Sequence, residues 1–299
     1  MSGCSTATHE TINKPATQPQ VSKTIVADNV KGLKRKVVIA RFSNETKHGN
    51  SFLLDENNDR LGKQASDILA ARLTDSGKFL MFERQDLDKI KAEQDLANIT
   101  PSFVGADYLI IGSVSEFGRS TVSEVGIFSR NLKQKASATV NVRLVDVTTG
   151  EIIFSQEGSG EALSEANRVF GVGATAGYDS KLDDDALSAA ISKLVSNLIE
   201  NLLDQPWIAY ILDVQQDQII VSGGKSQGLK RGDILKIMKR GRMVINQQTG
   251  FEIELPREEV AKLQVLSFAG NGNNEVSICV LTSGSITGMK TDQLIIQEL

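Results

Sequence analysis

The sequence predicts an α+β protein in two folded parts, a layered α/β domain followed by a small all-β barrel or sandwich. Strand-like and helix-like runs alternate as far as residue 204, and only strand-like runs follow. A Pro206-Trp207 step separates the two patterns. It sets the divisions at residues 1–32 for a polar N-terminal segment, 33–204 for the α/β domain and 205–299 for the β domain.

Residues 36–42 (Lys-Val-Val-Ile-Ala-Arg-Phe) are a short apolar run suited to a buried strand. A polar loop extends to Asp59, after which Leu61, Ala65, Ile68, Leu69 and Leu73 recur at helical spacing until Gly77 stops the helix. Residues 78–82 read as a second strand. A second helix over 84–96 puts Leu87, Ile90 and Leu96 on one face, and 106–114 make a third strand. Alternation follows: Ala136, Ala138, Val140, Val142 and Leu144 share one face, with Ser137, Thr139, Asn141 and Arg143 on the other. Residues 147–151 turn the chain and 152–156 return antiparallel. The last helix spans 183–203, with an apolar stripe of Leu187, Ile191, Leu194, Leu198 and Leu202. Asp183, Asp184 and Asp185 open it, where the helix dipole favours negative charge.

Beyond Trp207, residues 209–214, 218–221, 233–239, 260–268 and 275–281 read as strands separated by Gly, Asn and Asp turns. Gly228 to Asp233 is expected to be a turn feeding a strand. Lys236, Lys239, Arg240 and Arg242 are expected to form a basic hairpin guarding a sheet edge against strand addition. Trp207 is expected to pack the junction between the two parts.

Composition excludes several function classes. The net charge is −4, and Lys and Arg are dispersed, so the basic stripe of a phosphate-binding surface is missing and nucleic acid is not an expected partner. Two histidines, His9 and His48, lie in polar segments and leave no Ser-His or Cys-His pair and no His-based metal cluster to assemble. The glycines of 171–177 lack the strand-led frame of a dinucleotide site, and Gly224-Lys225-Ser226 lacks the first glycine of a P-loop. No enzyme activity, cofactor or metal is therefore expected. Of the two cysteines, Cys279 lies in an apolar strand and reads as a small buried hydrophobe.

Cys4 has a different setting. Small residues precede it, as at the end of a bacterial lipoprotein signal, and residues 5–31 are rich in Thr, Ser, Gln, Lys and Asn with Pro15 and Pro19. That composition cannot bury enough apolar surface to order itself, so the segment is expected to tether a lipidated Cys4 to the folded domain. Ser5 directly after the cysteine fits the outer-membrane sorting pattern of enteric lipoproteins.

The α/β part resembles the curli secretion channel (CsgG) family at three landmarks: Gly77 to Leu87 with its Glu-Arg-Gln step, Ala106 to Ser113 with its closing Gly-Ser, and the Val140 to Ile152 hairpin. They stand in the family's order and spacing, and the resemblance covers roughly residues 33–204. It implies a periplasmic domain related to the N-terminal domain of the TolB protein, with β-hairpin insertions. It also implies a homo-oligomeric ring, lipid-anchored on the periplasmic face of the outer membrane, whose hairpins build a β-barrel pore for protein secretion in curli assembly. Curli-like fibre subunits or accessory assembly proteins would be the partners. By the same resemblance the loop at 49–59 lines a constriction, with Phe52 as its aromatic element and Asn57 and Asn58 as amide elements. The hairpins fall at 116–135 and 158–181, and both look shorter and more charged than the curli channel's own. That departure favours a second reading, a non-conducting periplasmic ring or scaffold of another envelope machine such as a flagellar one. The β domain bears a short resemblance to the C-terminal domain of the flagellar protein FlgT around 228–233.

Overall fold

The apolar run after Leu33 becomes β1 (Arg35–Asn44), and the helical stripe beyond the first loop becomes α1 (Arg60–Asp75). There follow β2 (Phe79–Phe82), α2 (Leu87–Leu96), β3 (Tyr108–Val125), β4 (Ser129–Asp146), β5 (Ile152–Val169) and α3 (Lys181–Asp204). The structure is a computed structural model that describes residues 32–46, 60–98, 105–125, 129–169, 181–248 and 250–299. Its fold is α+β, as the sequence pattern expects.

These strands form one sheet in the order β2-β1-β3-β4-β5. β1 is parallel to β2 and β3, which requires the crossovers that α1 and α2 supply, while β3, β4 and β5 run as an antiparallel meander. α1 and α3 cover one face. The five leucines and isoleucines of the α3 stripe are all fully buried, against Ala138, Val140, Val142 and Leu144 of β4 and Ala65, Leu69 and Leu73 of α1. Two glycines of β5 let α3 come this close. A Cβ on Gly158 would lie 2.4 Å from the Ala190 carbonyl oxygen, and one on Gly160 2.2 Å from the Ala190 nitrogen. α2 departs from expectation. It forms, but none of its residues is buried and Leu96 is 79% exposed, because ten residues with three apolar side chains offer too narrow a stripe to seat against the sheet.

The C-terminal part is a barrel. Its strands are β6 (Ile208–Ala209), β7 (Ile211–Gln215), β8 (Gln218–Ser222), β9 (Ile234–Lys239), β12 (Glu258–Ala269), β13 (Val276–Gly284) and β14 (Leu294–Glu298). A separate two-stranded hairpin, β10 (Met243–Ile245) with β11 (Glu252–Glu254), stands between β9 and β12 in the chain. The sheet order is β6-β14-β9-β12-β13-β8-β7, and only Tyr210 separates β6 from β7, so the two ends of the order are one interrupted strand and the sheet closes. Trp207, Ile219, Val221, Ile237, Leu263, Cys279 and Ile296 fill it. Leu33, the residue that leads into β1, also packs in this core. The two parts are therefore stitched twice, through Leu33 and through Trp207.

One expectation needs correction. Lys236 and Lys239 sit on β9, which is hydrogen-bonded on both sides by β12 and β14, so they guard no edge. Their sequence is indistinguishable from that of an edge strand until β14 is recognised. Of the hairpin expected at 158–181, the described part is one strand to Val169, paired with β4 throughout. Any return strand falls outside the described residues.

Candidate functional site

β3, β4 and β5 are each 18 residues long and outrun the helix that covers them. The last row at the helix is Arg119, Ala136 and Ala162. There the Arg119 guanidinium lies 3.5 Å from the Asp183 carboxylate in the first turn of α3. The acidic residue that favours the helix dipole thus also marks where the sheet leaves its support. Beyond that row β3 continues over residues 120–125, a reach of about 20 Å. A membrane-spanning strand needs roughly 9–11 residues. The register continues unbroken, aligning Val122 with Lys133 and Glu165, and Val125 with Arg130 and Arg168.

Among the described residues this extension has two open edges. β1 flanks β3 only as far as Val114, and among the described residues no strand pairs with the outer edge of β5. Open edges present a row of N–H and C=O groups that another strand can satisfy. The meander also shows a face turned away from the helices, and that face is polar. Thr139 Oγ1 lies 3.3 Å from both Glu116 Oε2 and Ser159 Oγ, and Lys135 pairs with Glu161 at 2.7 Å. Such a face belongs in water, not against acyl chains.

The junction between sheet and barrel is held by charge. Arg35 is buried and donates to the carbonyl oxygens of Leu33 (2.7 Å), Gln205 (2.9 Å) and Leu203 (3.1 Å), and to Glu298 Oε1 at 2.6 Å. Glu298 in turn accepts the Trp207 backbone N–H at 3.1 Å. Lys36 Nζ lies 3.2 Å from Asp107, and Asp107 also accepts the Lys36 N–H at 2.9 Å. Burial pushes the Asp107 carboxyl above its ordinary value, and the Lys36 charge offsets only part of that. Beside this junction a groove of about 540 Å³ runs between β2 and the barrel wall, lined by Leu80, Phe82, Leu212, Val276 and Glu275. In it Glu275 accepts the Ser226 N–H at 2.8 Å. Burial pushes the Cys279 thiol up to about 12, so it packs as a hydrophobe. Among the described residues there is no cluster of three or more His, Cys, Asp or Glu that could hold a metal ion.

Cys4 and the loop residues Phe52, Asn57 and Asn58 lie outside the described residues. The strands, not those positions, carry the geometry seen here. The extension falls where family resemblance put the hairpins, at 116–135 and 158–181; apolar alternation alone does not show it, because Glu116, Arg119 and Glu124 interrupt the pattern, and the long register emerges from pairing.

The chain matches the family model described as curli production assembly/transport component CsgG over residues 18–232, which runs past α3 into the first barrel strands. A protein of Neisseria meningitidis serogroup B, named as a lipoprotein, is 34% identical over 163 residues, covering 54% of this chain and 73% of its own length. Among solved structures, the PelC dodecamer of Paraburkholderia phytofirmans is similar at 17% identity, covering 57% of this chain and 89% of that one, with a TM-score of 0.26. The lipoprotein GNA1162 of Neisseria meningitidis is similar at 16% identity, covering 57% of this chain and 99% of that one, with a TM-score of 0.29.

Proposed function

This chain belongs to the CsgG family, and on that footing we propose that it is a ring-forming component of a curli-type secretion and assembly channel, tethered to the outer membrane through a lipid on Cys4. The observation that carries the reading is the extension of β3, β4 and β5 beyond α3, with both edges open among the described residues. Copies standing side by side on a membrane can satisfy those edges by joining them, one copy's β5 side to the next copy's β3 side, and a contact of that heterologous kind closes into a ring. The work is done by assembly and passage, not by catalysis. Fibre subunits or accessory assembly proteins are the expected traffic, and Phe52, Asn57 and Asn58 are our candidates for its constriction.

A second reading has its own support. The extension over 120–125 is shorter than a spanning strand, and its rows hold Lys133, Glu165, Arg130 and Arg168. A collar of that kind could ring an envelope machine without conducting. Planar-bilayer recording of the purified oligomer separates the two. The channel reading expects unitary conductance that disappears when residues 120–133 and 162–177 are removed, since an open sheet edge cannot sit in lipid. A wild-type oligomer without conductance, with both segments open to protease in vesicles, would leave the scaffold.

A further inference from the structure

The barrel closes its own edges, yet the hairpin beside it does not. β10 and β11 belong to no larger sheet. A lone two-stranded ribbon is marginal in water, and this one exposes much apolar surface: Phe251 is 74% exposed, Ile245 58% and Met243 53%. Within the ribbon Asn246 N–H donates to the Phe251 carbonyl at 2.8 Å and Leu255 N–H to the Arg242 carbonyl at 3.1 Å. In an antiparallel pair such rows alternate, so Val244, paired with Ile253, also points its backbone groups inward. The N–H and C=O groups of Met243 and Ile245 point outward.

The two edges of the ribbon differ in what they would accept. Two β11 strands pairing about Ile253 would set Glu252 opposite Glu254, like charge against like. Two β10 strands pairing about Val244 would set Met243 opposite Ile245 twice over and valine opposite valine, with no charge in the row. β10 has no Lys, Pro or bulge to discourage this.

We propose that β10 is a pairing edge for a second copy of this chain, the two strands meeting antiparallel about a two-fold axis at Val244 to make a four-stranded ribbon. Met243 and Ile245 exchange the hydrogen bonds, and Val244 faces its counterpart in the closely spaced, non-hydrogen-bonded row, about 4.5 Å between Cα atoms. The contact is isologous, so it joins copies in pairs and does not propagate round a ring. It is independent of the β3–β5 contact proposed above. Three residues of edge bury far less than the roughly 1,200 Å² of a stable interface, so pairing is weak and suited to chains concentrated on a membrane.

Disulfide trapping reads the register directly, since Cα atoms about 4.4–6.8 Å apart can be bridged. In the full chain carrying Cys4→Ser, concentrated to stand in for crowding on a membrane, Val244→Cys is expected to form a covalent dimer under mild oxidation, several-fold faster than Gln247→Cys at the hairpin tip. Met243→Cys and Ile245→Cys should each stay near the tip's rate alone and give a heterodimer when mixed. Equal rates at all four positions, or no dimer from Val244→Cys, would overturn the proposal. Loss of this pairing with an intact β3–β5 cross-link would leave the ring reading standing.

Discussion

The two sheets of this molecule treat their edges in opposite ways. The barrel joins the two ends of its sheet order across Tyr210 and so nearly closes, with only the short β6 and β7 each paired on one side. The five-stranded sheet ends on β5, 18 residues long and unpaired on its outer side among the described residues. A closed sheet is complete as a monomer, whereas an open one of this length invites another strand. On the proposed reading the ring contact falls to the α/β part, to which the barrel is held by Leu33, Arg35 and Trp207.

If the barrel is complete in itself, its core should fail as a unit. Trp207→Ala removes the largest of its fully buried side chains and is expected to cost about 3–5 kcal/mol, seen in calorimetry as a lowered barrel transition. Oligomers already assembled should keep their subunit number in native mass spectrometry, and a change in that number would erase the division of labour argued above.

Seating of α3 is the corresponding weak point of the open sheet. Gly160→Val would push a side chain against the α3 backbone at Ala190 and Ala186, so a loss of about 1–3 kcal/mol is expected in urea melts. Because α3 supports the row from which the extension departs, this variant should lose oligomer as well as stability. Stability lost with oligomerisation unchanged would mean the extension does not depend on its helical backing.

The smallest effect expected is one of pH at the junction. Asp107 holds its proton more tightly folded than unfolded, because burial raises its pKa and Lys36 only partly compensates. Between the ordinary and the raised value the folded state binds more protons, so this group's contribution to stability falls as pH rises through that window. Asp107→Asn cannot titrate. The stability advantage of the wild type over it should therefore shrink as pH rises above the ordinary carboxylate value in parallel denaturation series, and a constant difference would assign Asp107 no part in the junction's pH response.

Much of the fold could be read from the residues. The alternation from Ala136 to Leu144 gave β4 its buried face, and the leucine stripe from Leu187 to Leu202 gave α3, because a single core face imposes a single period. What the residues concealed was length and pairing. The apolar patterns end at Val114 and Gln156, because charged residues enter beyond them; the hairpins at 116–135 and 158–181 came from resemblance, and the cross-strand register shows that β3 and β5 continue. β14 escaped notice although Leu294, Ile295 and Ile296 are all buried, because a short apolar run near a chain end has no periodicity to announce it. The constriction residues Phe52, Asn57 and Asn58 came from resemblance alone.

The central claim, that neighbouring copies join through the open edges of the extension, is tested most directly by photo-cross-linking. A benzophenone amino acid at Ser123, in the part of β3 that β1 does not flank, should yield an SDS-resistant ladder of multimers from the lipidated protein. Mass spectrometry should place the adduct within residues 158–180 of a second copy. Monomer alone after irradiation, or adducts only to a different protein, would contradict a ring built by edge-to-edge joining of this sheet.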